Sequence, residues 1–162
     1  DDVSKLKVAW VGDGNNVLHD LMLACAMLGI DIHYAIPEGY EPSEEVVKRT
    51  KSLAAKNRSK VVVTNYPVEA VSGAHVVYTD VFISMGEEHM KDKIKSFDGF
   101  QVNEKLVSNM DENWKFMHCL PIRRNIVAAD GVLDSHRSLV IQQSQNRIYS
   151  AQAVLKQLLE NG

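Results

Sequence analysis

The stretch FMHCLPIRRN, residues 116–125, places a histidine, a thiol, a proline and two arginines at the end of an apolar run. Histidine and cysteine side chains transfer protons, attack carbonyl groups or bind metals. Because neighbouring side chains of a regular strand point to opposite faces, His118 and Cys119 are not expected to address one ligand while the strand continues. Neither a metal site nor a Cys–His nucleophile is therefore expected, since zinc needs three or four converging ligands. Pro121 ends regular strand pairing, and a cis bond there would turn the Leu120 carbonyl inward as an acceptor.

The segment GDGNN, residues 12–16, follows the first apolar run of the chain. Its glycines resemble half of a dinucleotide-binding fingerprint, but Val17 replaces the third glycine, so a nicotinamide cofactor is not expected. The simplest interpretation is a tight turn in which Asn15 or Asn16 caps the next helix. In a more functional interpretation, one asparagine caps and the other offers its amide to a ligand carboxylate or ammonium, because an amide both donates and accepts hydrogen bonds.

The segment TDVFISMGEE, residues 79–88, places a carboxylate at the end of another apolar run. Asp80 is suited to pair with a ligand ammonium, and Ser84 and Met85 follow in a loop that can fold back over the same site. The alternative is a solvated aspartate beside an ordinary turn, which is the commoner situation of this residue type.

The segment QSQNR, residues 143–147, brings an arginine ahead of the last helical stretch. From there Arg147 can reach the same rim, although a single arginine is more often solvated surface. Arg123 and Arg124 are equally consistent with salt-bridged surface residues. These segments form one site only if the fold brings them together.

The composition limits the class of protein. The chain has 162 residues, 45% of them hydrophobic, which suits one domain with a sizeable core. Its 18 basic and 21 acidic residues are well mixed, so no basic surplus indicates a nucleic-acid partner. The apolar runs are too short to span a bilayer, so no membrane partner is expected. Cys25 and Cys119 form no disulfide framework, which favours the cytoplasm, with a mitochondrial origin left open because the chain starts without Met.

Continuous apolar runs alternate with segments of helical spacing, which predicts a doubly wound parallel α/β sheet, a Rossmann-like three-layer sandwich with helices on both faces. In this architecture ligands bind beyond the carboxyl ends of the strands, which is where the four polar segments lie. The predicted strands are 6–12, 30–36, 60–65, 74–80 and 115–120, with a possible sixth at 138–143. The predicted helices are 16–29, 43–57, 67–73, 87–97 and 146–160.

Taken together, GDGNN, TDVFISMG, HCLP and QNR, in this order and at these separations, resemble the carboxyl-terminal half of the ornithine carbamoyltransferases, in the aspartate/ornithine carbamoyltransferase family. The resemblance covers essentially the whole chain and implies that residues 1–162 are a single ornithine-binding domain. In that family a preceding domain carries a Ser-Thr-Arg-Thr-Arg loop that grips carbamoyl phosphate. That loop is absent from this chain, so the chain alone is expected to be nearly inactive.

The resemblance also implies the roles of individual residues at the α-amino and carboxylate end of ornithine. Asn16 and Asp80 would hold this end of the substrate, together with Ser84 and the backbone of Met85. No cofactor is implied.

At the reacting end, the resemblance places Cys119 beside the δ-amino group of ornithine. The Leu120 carbonyl would accept hydrogen bonds from the carbamoyl nitrogen and the attacking amine, and the bond to Pro121 is expected to be cis. Arg147 would polarise the carbamoyl oxygen, and His118 would support the site from behind. The implied reaction forms citrulline and phosphate from ornithine and carbamoyl phosphate, in a protein expected to be a homotrimer.

Two segments depart from the usual family pattern. QQSQNR lacks the acidic lead-in to the Asn-Arg pair, which puts the placement of Arg147 in question. PIRRN resembles the relatives that act on N-acetylornithine or N-succinylornithine, but those lack the SMG loop found here, so free ornithine is favoured and the acylated substrates are the alternative. A non-catalytic amino-acid-binding paralogue and a flavodoxin-like or nucleotide-binding domain also remain open.

Overall fold

Five parallel strands form one sheet in the part of the chain that the computed structural model describes, residues 2–83 and 92–161. They are β1 Lys7–Val11, β2 Asp31–Ala35, β3 Val61–Thr64, β4 Val76–Thr79 and β5 Lys115–His118. Their order across the sheet is β3-β2-β1-β4-β5, so the direction of winding reverses between β1 and β4. The predicted doubly wound α/β architecture is confirmed, and the carboxyl ends of β1 and β4 are the expected place for a ligand.

Two hydrophobic clusters cover the two faces of the sheet. On one face Trp10 and Tyr34 pack with α1 residues such as Met22, and on the other Ala9 and Phe116 pack with the shorter helices. Burial on both faces explains why the strands read as continuous apolar runs in the sequence. The helices described are α1 Asn16–Leu28, α2 Glu44–Asn57, α3 Pro67–Val71, α4 Lys93–Ser96, α5 Glu104–Val107, α6 Asp130–Leu133 and α7 Val140–Glu160, with a short 3₁₀ turn at Val3–Lys5.

The predicted helix boundaries agree with the structure in part. Those of the first three helices match closely. Of the predicted helix 87–97, only the part from residue 92 onward lies within the described residues, and there α4 spans Lys93–Ser96. The single-turn helices α5 and α6 were not predicted, because four residues are too few to show a helical period.

The predicted sixth strand at 138–143 is wrong, because this segment starts α7. Ser138 makes one isolated bridge to Phe116, and the helix begins two residues later at Val140. Val140 is buried, whereas Ile141 is 72% exposed, so the apolar pair that resembles a strand has one member on the core and one in solvent. The glutamines that follow are good helix formers, which extends α7 well upstream of its predicted start at 146.

Helix α7 carries an apolar stripe that the described part of the chain leaves uncovered. Val140 alone among its residues is buried, and the helix then runs on through exposed positions to Glu160. Exposed apolar side chains on it are Ile141, Ile148, Tyr149, Val154, Leu155, Leu158 and Leu159. A contiguous exposed apolar surface of this kind usually marks an interface. In the described ranges, no helix is both long and apolar enough to cross a membrane.

Candidate functional site

Asp80 joins three loops at the carboxyl ends of the strands. It follows β4 directly and is only 8% exposed. Asn15 Nδ2 donates a hydrogen bond to Asp80 Oδ2 at 3.0 Å, and Cys119 Sγ lies 3.2 Å from Asp80 Oδ1 as a donor. The structure therefore brings together the segments after β1, β4 and β5, as the parallel sheet requires.

The two asparagines after β1 divide their roles. Asn15 is the N-cap of α1, and its Oδ1 accepts from the backbone N–H groups of Val17 and Leu18 at 3.0 and 3.2 Å. Its amide nitrogen is then oriented toward Asp80. Asn16 is the first residue of the helix and lines the adjoining cavity. The prediction that one asparagine caps is confirmed, and the other is left facing the cavity.

The loop that carries these asparagines is held from two sides. Lys93 Nζ lies 2.7 Å from Asp13 Oδ2, and both side chains are almost fully buried. The Gly14 N–H donates to the Tyr40 carbonyl at 2.9 Å, and this close approach leaves no room for a side chain at position 14. The N–H groups that Asn15 caps at the start of the helix, and the Gly14 N–H that donates to Tyr40, are already hydrogen-bonded. They are therefore not free to bind a dinucleotide phosphate.

Gly14→Ala tests this packing. An added Cβ would sit 2.3 Å from the Tyr40 carbonyl oxygen, closer than real contacts allow, so the loop has to move. We expect the free energy of unfolding to fall by roughly 1–3 kcal/mol in urea titrations. An unchanged unfolding free energy would show that the loop is not fixed by this contact.

His118 and Cys119 both lie close to Asp80, although two neighbouring side chains would point to opposite faces if the strand continued. β5 ends at His118, so the alternation of strand side chains no longer applies to Cys119. His118 Nε2 lies 3.9 Å from Asp80 Oδ1, and the Cys119 thiol lies on the same oxygen at 3.2 Å. The predicted strand continued to residue 120, but β5 ends two residues earlier, so the condition of that expectation, a continuing strand, is not met at Cys119.

The tautomer of His118 is set by the turn that follows. The Leu120 N–H donates to His118 Nδ1 at 2.9 Å, so in the neutral imidazole the proton sits on Nε2. Nε2 faces Asp80 and has no hydrogen-bond partner among the described residues. Burial lowers the pKa of His118, with the charge of Asp80 acting in the opposite direction, and the side chain is fully buried. His118 is not among the residues that line the adjoining cavity.

Asp80, His118 and Cys119 offer three ligand atoms within 4.8 Å of one another, which raises the question of a metal. The donor set does not fit one in this arrangement. Nε2 would have to present a lone pair, but the Leu120 N–H already occupies Nδ1 and leaves the proton on Nε2. Of these side chains, Cys119 is hydrogen-bonded to the Asp80 carboxylate, and His118 Nε2 lies 3.9 Å from it.

The Cys119 thiol stays protonated at neutral pH. Burial raises its pKa to about 11, and the hydrogen bond and charge of Asp80 act in the same direction, while the positive charge of Arg147 lowers it. Because the thiolate is the nucleophilic form, this environment opposes covalent catalysis by Cys119.

The reactivity of Cys119 toward iodoacetamide checks this environment. Because the pKa of Cys119 is raised to about 11, we expect alkylation at pH 8 to be roughly tenfold to a hundredfold slower than that of free cysteine. The rate should keep rising with pH up to that pKa, and peptide mapping separates Cys119 from the buried Cys25. A profile with its midpoint near 8 would contradict the described surroundings.

A cavity of about 570 Å³ opens beside Asp80. The bond between Leu120 and Pro121 on its wall is cis, as predicted, and Leu120 adopts a positive φ of 55°. Its lining consists of Asn16, Val17, Asp80, Val81, Ile83, Cys119, Leu120, Pro121, Ile122 and Arg123. The cavity thus combines an amide, a carboxylate, a thiol and a guanidinium with an apolar wall, which suits a small zwitterion with an aliphatic chain.

The predicted arginines have different surroundings. Arg124 Nη1 lies 2.7 Å from both Asp130 and Asp134, so the salt-bridged surface interpretation applies to it. Arg123 instead lines the cavity. Arg147 lies on the exposed second turn of α7 and is not among the lining residues, but its charge lowers the pKa of Cys119. Ser84 and Met85 lie outside the described residues.

Sequence reasoning missed Tyr78 and Gln143. Gln143 Nε2 donates to the Tyr78 hydroxyl at 2.6 Å, and Gln143 Oε1 accepts from the backbone N–H of His118 at 3.1 Å. Burial raises the pKa of Tyr78 to about 12, and the charges of Cys119, Asp80 and Arg147 also act on it. Only their positions could have indicated them. Tyr78 lies in β4, two residues before Asp80, and Gln143 lies one helical turn before Arg147.

The comparisons with known proteins identify the family of the chain. Residues 4–158 match the family model described as "Aspartate/ornithine carbamoyltransferase, Asp/Orn binding domain". The chain is 48% identical over 157 residues to the catabolic ornithine carbamoyltransferase of Thermoplasma acidophilum, covering 96% of this chain and 52% of that protein. It is 42% identical over 158 residues to the ornithine carbamoyltransferase of Bacillus subtilis, covering 97% and 50%.

Solved structures of ornithine carbamoyltransferases are also similar to this chain. The ornithine carbamoyltransferase of Pyrococcus furiosus superposes with a TM-score of 0.89 at 46% identity, over 93% of this chain and 48% of that one. An N-acetyl-L-ornithine transcarbamylase superposes with a TM-score of 0.82 over 95% of this chain and 49% of that one, but at 23% identity it shows the fold alone. The chain spans about half the length of the relatives it matches.

Proposed function

The chain belongs to the aspartate/ornithine carbamoyltransferase family, and from this we propose that it is the amino-acid-binding half of an enzyme that carbamoylates L-ornithine. The reaction transfers the carbamoyl group of carbamoyl phosphate to the δ-amino group and releases citrulline and phosphate. The observation that carries the proposal is the buried Asp80 carboxylate, held by Asn15 and Cys119 on the wall of the cavity. It is a fixed negative charge placed where an amino acid presents its ammonium.

The α end of ornithine binds at Asp80 and Asn16 in this proposal. Asp80 accepts one hydrogen bond on each oxygen and keeps further acceptor capacity for an ammonium group. Asn16 lines the same cavity and offers its amide to the carboxylate. Ser84 and the Met85 backbone complete this end of the site.

The δ-amine attacks the carbamoyl carbon beside Cys119. The thiol is protonated at neutral pH, so it orients the amine and forms no covalent intermediate. The Leu120 carbonyl accepts from the amine and the carbamoyl nitrogen. Negative charge grows on the carbamoyl oxygen as the bond forms, and Arg147 stabilises it more in the transition state than in the ground state. Holding the two reactants in register supplies much of the remaining acceleration.

The other half of the active site comes from a carbamoyl-phosphate-binding domain in this proposal. Two observations support it: the chain covers about half of its relatives, and the apolar stripe of α7 extends beyond the sheet with nothing described against it. We expect that domain to cover the stripe and to assemble the whole protein as a homotrimer. A location in the cytoplasm, or in mitochondria, accords with free thiols at both cysteines.

Citrulline formation tests the proposal. The full-length protein is expected to produce citrulline from L-ornithine and carbamoyl phosphate, with phosphate released in equal amount. The 162-residue chain, assayed alone at the same concentration, is expected to produce almost none. Citrulline formation by the isolated chain, or its absence with the full-length protein, would contradict the proposal.

A second candidate substrate is an acylated ornithine, because Arg123 lines the cavity and offers a guanidinium to a succinyl carboxylate. Asp80 favours free ornithine, since acylation removes the ammonium that the carboxylate would pair with. Parallel assays with ornithine, N-acetylornithine and N-succinylornithine separate the candidates. If N-succinylornithine is used faster and Arg123→Ala abolishes only that activity, the second candidate is correct.

A further inference from the structure

Gln143 connects α7 to the ends of two strands. Its Oε1 accepts from the backbone N–H of His118, which ends β5, and its Nε2 donates to the hydroxyl of Tyr78 in β4. A backbone N–H only donates, so the amide oxygen has to face His118 and the amide nitrogen has to face Tyr78. The orientation of the side chain is therefore determined by its partners.

Little else within the described ranges fixes this helix to the sheet. Val140 is buried at its start, Gln143 is half-buried, and the positions from Ser144 to Asn161 are exposed. The other side-chain hydrogen bonds shown for α7 stay within the helix, such as Ser150 Oγ to the Asn146 carbonyl. Gln143 therefore provides the polar contact that sets how the first turns of α7 lie on the strand ends.

Arg147 follows Gln143 by four residues, so the two side chains lie on the same face of α7, about one turn apart. Gln143 contacts the strand ends, so this face of the helix is directed toward the site, and the charge of Arg147 acts on both Cys119 and Tyr78. Arg147 itself is exposed and makes no side-chain hydrogen bond that the structure shows in the described ranges. Any rotation or lifting of the helix would move it.

We propose that Gln143 is a positioning residue that fixes the rotation and height of α7 on the strand ends and so places Arg147 beside Cys119. The position of Arg147 relative to Cys119 is a property of the chain and can be tested without substrate. Only its effect on catalysis rests on the proposed function. The segment QQSQNR lacks the acidic residue that usually precedes the Asn-Arg pair, and in this proposal the amide of Gln143 positions Arg147 instead.

Alkylation of Cys119 in the 162-residue chain measures the placement without any substrate. Arg147→Ala removes a positive charge that favours the thiolate, so alkylation by iodoacetamide at pH 9 should slow by about threefold. Gln143→Met keeps the size of the side chain and removes both hydrogen bonds, and should slow alkylation by the same factor. The double variant should be no slower than Arg147→Ala. The exposed Gln142→Met on the same helix is the matched control and should leave the rate unchanged.

The charged groups shown acting on the pKa of Cys119 are Asp80 and Arg147; the charge of Cys119 in turn acts on Tyr78, and His118 shares its contact with Asp80. Gln143→Met leaves these charges in place but removes a hydrogen bond from Tyr78, so the double variant identifies the cause: an effect that acts through Arg147 disappears when Arg147 is already alanine. Equal rates for Gln143→Met and the wild type, with Arg147→Ala slower, would overturn the proposal. An additive double variant, or an Arg147→Ala variant that alkylates at the wild-type rate, would overturn it too.

Kinetics of the full-length protein supply the second readout. Gln143→Met should lower kcat by roughly tenfold with the KM for ornithine within about twofold, because Arg147 acts on the transition state. Gln143→Glu still accepts from both partners, so it should keep kcat within about threefold of the wild type. Loss of activity in Gln143→Glu as large as in Gln143→Met would count against positioning. If the alkylation results hold while no citrulline forms, the positioning stands and the proposed function fails.

Discussion

Arg147→Ala in the full-length protein is expected to lower kcat for citrulline formation by roughly a hundredfold to a thousandfold. In the proposed reaction Arg147 is the cation at the oxygen where negative charge develops, and this interaction is stronger in the transition state than in the ground state. The KM for ornithine should change little, since Arg147 lies outside the cavity lining that includes Asp80 and Asn16. Steady-state rates with saturating carbamoyl phosphate measure both parameters.

Arg147→Lys and Arg124→Ala are the controls for this result. Lysine keeps the charge but lacks the planar fork, so an intermediate rate is expected. Arg124 is committed to Asp130 and Asp134 at the surface, so its removal should leave kcat unchanged. Full activity of Arg147→Ala would show that another group polarises the carbamoyl oxygen.

Asp80→Asn is expected to weaken ornithine binding by roughly a hundredfold. The substitution preserves shape but removes the buried negative charge that would face the substrate ammonium, and breaking such a pair costs several kcal/mol. Calorimetric titration of the variant and wild-type proteins with L-ornithine gives the ratio of dissociation constants. Undiminished affinity would show that the ammonium is recognised elsewhere.

The same variant carries an internal control in Cys119. Asp80 raises the pKa of the thiol through its hydrogen bond and its charge, so Asp80→Asn should lower that pKa and speed alkylation below pH 10. Faster alkylation of Cys119 together with weaker binding, while the buried Cys25 stays unreactive, shows that the charge is gone from a folded variant. An alkylation rate unchanged from the wild type would contradict the contact between Asp80 and the Cys119 thiol.

Strand positions were predictable because burial on both faces of the sheet produces continuous apolar runs, as in β1 and β4. The start of α7 was not predictable from its residues alone. Val140 and Ile141 look like part of a strand, but among the described residues this segment makes one bridge to Phe116, and the glutamines that follow favour a helix. Tertiary context overrode the local pattern there.

Parts of the candidate site were encoded locally and others were not. That one of the two asparagines after β1 caps the next helix, and that Asp80 lies at the end of a strand, follow from residue type and position. The contact of Gln143 with Tyr78 joins residues 65 apart in the chain, so the spacing of the sequence does not predict it. Which of Arg123 and Arg124 faces the cavity depends on where two aspartates of the following segment lie, and that too is settled only in three dimensions.

The central claim is that ornithine binds where the loops after β1, β4 and β5 meet. Titration of the isotope-labelled 162-residue chain with L-ornithine, followed by amide NMR, tests it most directly. The account predicts shift changes centred on Asn16, Asp80 and Cys119, and their loss in Asp80→Asn. Changes centred instead on the cavity beside α2, which is lined by Tyr34, Val47 and Lys51, or no changes at the highest soluble ornithine concentration, would contradict it.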